Sequence, residues 1–132
     1  MFNPDEAMDN KPYILFIEDE RPMIELVRET LKFGGFEVVG VTTGQAGLTQ
    51  MQGRRPDLLL LDLMMPGMSG WDVYRAMQAD PHLAGVPVIV ITARVLEHGL
   101  QIVADLPPVA DYITKPFAPE RLIRSVQKLL PG

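Results

Sequence analysis

Four stretches of this chain end in residues that could do chemistry together. Glu18, Asp19 and Glu20 directly follow one apolar run, Asp62 follows another, Thr92 follows a third, and Lys115 stands two residues beyond a fourth. Two or three carboxylates brought into one crevice repel by about 4 kcal/mol per pair at ~4 Å and an effective dielectric near 20, so such a site is strained or partly protonated. A divalent cation relieves the repulsion, and an all-oxygen site with few protein ligands and room for water suits Mg²⁺. Asp62 beside such a metal is placed to attack a phosphoryl donor and form an aspartyl phosphate. Lys115 and the metal would then neutralise the phosphoryl oxygens, and the Thr92 hydroxyl would donate a hydrogen bond to one of them.

Positioning these residues falls to five short apolar runs: Tyr13 to Ile17, Phe36 to Val41, Leu58 to Leu61, Val86 to Ile91 and Tyr112 to Ile113. Most are continuously apolar rather than alternating, the pattern of strands buried on both faces. Helical spacing fills the gaps. The first helix is expected from about Arg21 to Phe33, with Pro22 in its first turn and Gly34-Gly35 as its stop. The second runs from near Thr43 to Gly53. Ser69 with Asp72 resembles a capping box opening a third helix through Val73, Tyr74 and Met77. A fourth covers about Val95 to Leu106, closed by Pro107-Pro108, and the last begins near Pro119. Strand and helix alternating five times predict a doubly wound α/β fold. In such a sheet the carboxyl ends of the strands share one edge, so the residues named above converge.

Each residue also has a plainer reading. Glu18, Asp19 and Glu20 alone describe a solvated helix start favoured by the helix dipole. Thr92 alone is a strand end or cap, and Lys115 a surface charge. Asp62 is different, because it ends a run of leucines and precedes Leu63-Met64-Met65-Pro66, where a structural carboxylate needs a dedicated partner. The methionines read as packing residues, His82 and His98 as surface residues, and Trp71 as cover for a helix face.

Composition narrows the classes. The 132 residues carry 12 Lys plus Arg against 17 Asp plus Glu, a formal charge of -5, which opposes a sequence-independent grip on nucleic acid. There is no cysteine, which excludes disulfides and thiolate chemistry. The apolar runs are only strand-sized and the start of the chain is polar and acidic, so no membrane span or secretory leader is expected and the location expected is cytoplasmic. Residues 1–11 are expected to be a flexible lead and residues 12–131 one domain.

The segments Ile14-Leu15-Phe16-Ile17-Glu18-Asp19-Glu20, Leu60-Leu61-Asp62-Leu63-Met64-Met65-Pro66-Gly67-Met68-Ser69-Gly70, Val90-Ile91-Thr92-Ala93 and Asp111-Tyr112-Ile113-Thr114-Lys115-Pro116-Phe117 resemble the receiver domain of two-component response regulators. That resemblance implies a flavodoxin-like five-stranded parallel sheet of order 2-1-3-4-5 with five helices. It implies Mg²⁺ dependence and phosphotransfer from a sensor histidine kinase or a histidine phosphotransfer protein. By the same resemblance Asp62 is the phosphoacceptor, Asp19 a direct metal ligand, Glu18 a ligand through water, and Met64 a donor through its backbone carbonyl. Thr92 and Lys115 contact the phosphoryl group, Thr92 and Tyr112 form the switch, and Lys115-Pro116 is cis. A downstream target protein would be read by the face of the fourth helix, fifth strand and fifth helix. The chain is then a signalling domain rather than an enzyme, with only Mg²⁺-dependent self-phosphorylation and slow self-dephosphorylation.

Some features depart from the family pattern. Leu106-Pro107-Pro108-Val109-Ala110-Asp111 replaces a Gly-Ala-Asp-Asp run, and Asp111, Arg121 and Arg124 supply only part of the charged set that family dimers use. Met64 and Arg94 flank the route of a hydrolytic water, and bulky Met64 is expected to slow loss of the phosphoryl group. Two readings stand beside phosphotransfer: a receiver-like interaction module that is not phosphorylated, and the excised N-terminal domain of a larger DNA-binding or enzymatic regulator. A flavodoxin-type cofactor protein is disfavoured because Glu18, Asp19 and Glu20 would repel a cofactor phosphate. An aspartyl phosphatase or mutase is disfavoured because Met64 stands where its second Asp belongs.

Overall fold

Five parallel strands form one sheet in the order β2-β1-β3-β4-β5. They span Tyr13–Ile17 (β1), Glu37–Val41 (β2), Leu58–Leu61 (β3), Val88–Thr92 (β4) and Asp111–Thr114 (β5). A computed structural model of the chain describes residues 11–93 and 109–130. Among these are four helices, Arg21–Lys32 (α1), Gly44–Gly53 (α2), Gly70–Gln78 (α3) and Pro119–Leu129 (α4). The helix expected over Val95 to Leu106, the lead residues 1–10, Arg94 and His98 lie outside the described residues. The helix expected as the fifth is α4.

The continuous apolar runs are explained by burial on both sides of the sheet. Along β1, Ile14 and Phe16 face one core with Ile24, Val27 and Leu31 of α1 and Leu122 and Val126 of α4. Tyr13, Leu15 and Ile17 face the other, with Met51 of α2 and Val73 and Met77 of α3. Side chains alternate across a strand, so a run without polar gaps fills two cores at once.

Local chemistry sets the helix ends much as expected. Thr43 caps α2 by accepting from the Ala46 N–H at 3.1 Å. Ser69 and Asp72 form a reciprocal capping box on α3. Pro22 and Pro119 sit in the first turns of α1 and α4. Gly35, at φ +87, takes the chain out of α1, and the Phe36 N–H then donates to Leu31 O at 3.2 Å.

Strand boundaries differ from the expectation at β2, β4 and β5: β4 takes in Thr92, β5 takes in Asp111 and Thr114, and β2 and β4 start later than their apolar runs. Phe36 belongs to the turn leaving α1 rather than to β2 and inserts its ring into the first core. Val86 precedes β4, because Pro87 has no N–H to donate; its carbonyl accepts from the Leu59 N–H at 3.0 Å, and regular pairing begins at Val88.

Candidate functional site

Pairing along β1, β3 and β5 runs one residue past each strand, and that residue is a charged one every time. The Glu18 N–H donates to Val41 O at 3.0 Å, the Asp62 N–H to Ile17 O at 3.1 Å, and the Lys115 N–H to Thr92 O at 3.0 Å. The polar side chains are thus anchored by backbone bonds at the carboxyl edge of the sheet. Carboxylate oxygens of Glu18, Asp19 and Asp62 lie within 4.8 Å of one another. Lys115 Nζ reaches Glu18 Oε1 at 2.5 Å and Asp62 Oδ2 at 3.4 Å. Side chains from three segments of the chain therefore converge, and Thr92 adjoins them through its backbone carbonyl.

Burial separates residues that look alike in sequence. Glu18 is 0% exposed and Asp62 3%, whereas Asp19 and Glu20 are exposed. The solvated-helix reading thus holds for Glu20 and fails for Glu18, and the surface-charge reading fails for Lys115, which is ion-paired and mostly covered. Thr92 is buried at the end of β4, in register with Thr114. Tyr112, on β5, is half-buried against the second core, as is Trp71. The Lys115-Pro116 bond is cis.

Electrostatics follow from this packing. Burial, reinforced by the neighbouring Asp62 carboxylate, raises Glu18 from 4.5 to about 8, and Lys115 opposes the shift without cancelling it. Burial works against the Lys115 ammonium, but Glu18 and Asp62 outweigh it and hold its pKa above the usual lysine value.

One polar atom is left over. Glu18 Oε2 is buried and has no hydrogen-bond partner. An orphaned carboxylate oxygen costs free energy where it stands, and here it belongs to a trio of carboxylates with hard oxygen donors. Those residues fit a hard divalent cation with its water shell.

The loop after Asp62 is held by the site as much as it holds it. The Met64 N–H donates to Asp62 Oδ1 at 3.0 Å, fixing the carboxylate against rotation. Gly70, first residue of α3, donates to Leu63 O at 3.2 Å. A Cβ on Gly70 would run into the Asp62 carbonyl oxygen and approach Leu63 Cα to 2.7 Å, so α3 can seat against the end of β3 only because this residue has none.

Two features were not evident in the sequence. Nothing in the sequence around Gly70 marks its close approach to Asp62 and Leu63. Asp111 and Arg121, weighed as parts of a charged set between chains, pair within this one: Arg121 grips Asp111 at 2.9 and 3.1 Å, and Ser125 Oγ donates to Asp111 Oδ2 at 2.5 Å. Burial opposes ionisation of Asp111, but Arg121, Ser125 and the Tyr112 N–H prevail and hold its carboxyl below the usual range. Serine at a buried helix position, 14 residues from an Asp, was the available signal.

Comparison with known proteins agrees with this geometry. The family described as the response regulator receiver domain matches residues 14–127. The DNA-binding response regulator MtrA of Mycobacterium tuberculosis is 39% identical over 121 residues, covering 89% of this chain and 50% of the relative. The chain therefore spans about half the length of that protein. The chemotaxis protein CheY4 of Vibrio cholerae superposes with a TM-score of 0.80 at 25% identity, over 91% of this chain and 99% of that one. The receiver domain of sensor histidine kinase PA1611 from Pseudomonas aeruginosa, solved with a magnesium ion coordinated in its active site cleft, gives 0.79 at 25%, over 92% and 99%. No helix among the described residues is long and apolar enough to cross a membrane.

Proposed function

Because this chain belongs to the response regulator receiver domain family, we propose that Asp62 is its phosphoacceptor, loaded by a sensor histidine kinase or a histidine phosphotransfer protein with Mg²⁺ in the acidic cluster. The observation that carries this reading is Lys115 Nζ lying between Glu18 and Asp62 while Asp19 completes the carboxylate trio. An ammonium and three carboxylates at one strand edge form a site for a dianion and a cation together.

Asp19, Asp62 and the Met64 carbonyl are the direct metal donors in this reading, with Glu18 acting through water. A bound Mg²⁺ would supply positive charge that offsets the carboxylates and the phosphoryl oxygens. Asp62 does the bond-making: a carboxylate oxygen attacks phosphorus, a new O–P bond forms, and the bond to the donor's leaving nitrogen or oxygen breaks, the electron pair departing with that atom. The Met64 N–H holds Asp62 Oδ1 during the attack. Lys115 exchanges a carboxylate partner for a phosphoryl oxygen, and Thr92 donates its hydroxyl to another. Movement of Thr92 draws the Tyr112 ring inward and shifts a two-state equilibrium read by a downstream protein on the face containing β5 and α4. The cytoplasm is the compartment that fits such a kinase partner. DNA binding, which MtrA's name states of that protein, would belong to an output region rather than to this acidic receiver fold.

Incubation with acetyl phosphate and Mg²⁺, followed by intact mass measurement, tests the reading. Wild type should gain one phosphoryl group, and Asp62→Ala or metal-free wild type none. Absence of gain on wild type would favour an interaction module that is never phosphorylated.

A further inference from the structure

Positive charge is concentrated on the last helix of an acidic chain. The whole sequence has a formal charge of -5, yet α4 carries Arg121, Arg124 and Lys128 against one acid, Glu120. Spacings of three and seven residues put the three cations on one face of the helix, over a rise of about 10 Å. The opposite face carries Leu122 and Val126 into the first core. Arg124 and Lys128 are exposed, and neither makes an ion pair among the described residues.

Arg121 is held in a way that lets it leave. Its guanidinium donates to both oxygens of Asp111, at 2.9 and 3.1 Å, and to Tyr112 O at 3.3 Å, while its side chain stays 41% exposed. Each Asp111 oxygen has a second donor: Ser125 Oγ donates to Oδ2 at 2.5 Å and the Tyr112 N–H to Oδ1 at 2.8 Å. A guanidinium that turned to a carboxylate on another molecule would therefore leave neither Asp111 oxygen without a hydrogen bond.

We propose that the stripe of Arg121, Arg124 and Lys128 docks an acidic segment of a downstream protein, with Arg121 exchanging Asp111 for a carboxylate of that segment. The inference rests on the reading of the face containing β5 and α4 as the one a downstream protein contacts, and adds the chemistry of that partner. Arginine's planar fork pairs with a carboxylate at two points, and exchanging one carboxylate for another keeps that geometry. Three cations within about 10 Å match a few carboxylates on a short peptide. A nucleic acid matches less well, because a polyanion extending beyond the stripe meets the net negative charge of the domain.

Fluorescence anisotropy of a labelled oligoglutamate tests this, with oligoglutamine and a single-stranded oligodeoxynucleotide as comparisons. Protein with and without acetyl phosphate and Mg²⁺ is used, and phosphoryl uptake is read separately by intact mass. Oligoglutamate should bind more tightly than either comparison, and added salt should weaken it. Lys128→Glu should reduce its affinity about fivefold, whereas Lys32→Glu, the same change of charge on α1, should leave it near the wild-type value. Ser125→Ala, at a position buried beneath the stripe, should weaken binding severalfold while still folded, because Asp111 then depends on Arg121. The inference is overturned if oligoglutamate shows no salt-dependent binding, if Lys32→Glu weakens it as much as Lys128→Glu, if folded Ser125→Ala binds like wild type, or if the oligonucleotide binds more tightly. Self-association that Lys128→Glu abolishes, in place of peptide binding, would assign the stripe to a second copy of the chain and overturn it too. Failure of phosphoryl uptake with peptide binding intact would instead overturn the reading of Asp62.

Discussion

Glu18 carries the clearest pH signature of any single residue. Its folded pKa of about 8 lies above the ordinary 4.5, so between those values the folded chain keeps a proton that the unfolded chain has released. Stability of the metal-free protein should fall as pH rises through that window, with this contribution fully present below the unfolded value. Glu18→Gln has no proton to lose there and should flatten the dependence. Denaturant midpoints in chelator at about pH 5 and about pH 8 read the difference, and equal slopes for the two proteins would remove Glu18 as its source. Met64 makes a second residue-scale prediction. Replacing its apolar side chain with Asn should admit and orient water, shortening the phosphoryl lifetime by about tenfold, or ~1.4 kcal/mol; an unchanged lifetime refutes it. Asp62 and Thr92 were legible in the sequence because each falls where an apolar run ends, and Lys115 because it stands two residues beyond one. The burial of Glu18 was not, since an acidic triplet reads as solvated until the neighbouring strands are in place.

Two contacts between elements decide how well the site is held. At the first, α3 presses Gly70 against the backbone of Asp62 and Leu63. Gly70→Ala should cost about 1–3 kcal/mol of stability through overpacking and slow phosphoryl uptake beyond what partial unfolding explains. Uptake rates measured well below the unfolding transition check this, and a wild-type rate would mean the loop yields without moving Asp62. At the second, Ser125 and Arg121 of α4 hold Asp111 at the start of β5. Removing the buried hydroxyl in Ser125→Ala should cost roughly 1–2 kcal/mol in urea unfolding, and no loss would mean Arg121 alone suffices. Helix caps at Thr43 and Ser69 could be read from sequence because a cap acts over three residues. The grip on Asp111 could not, since its partners lie 10 and 14 residues away on another element and charge alone does not tell a bond within the chain from one between chains.

At the scale of the molecule, the alternation of strands and helices predicted a parallel sheet covered on both sides, and the two cores on either face of β1 are its physical form. Strand order came from the resemblance rather than from periodicity, because apolar runs such as Leu58–Leu61 carry nothing that names a neighbour. Order matters for function: with β1 between β2 and β3, the ends of β1 and β3 lie side by side and bring Glu18 and Asp62 together. The central claim is that this edge makes Asp62 an acyl phosphate. Borohydride reduction of the phosphorylated chain, which converts an aspartyl phosphate to homoserine, followed by peptide sequencing, tests it most directly. Homoserine at position 62 and nowhere else is the predicted result; homoserine at Asp19, or a reduction-resistant phosphoester on Thr92, would contradict it.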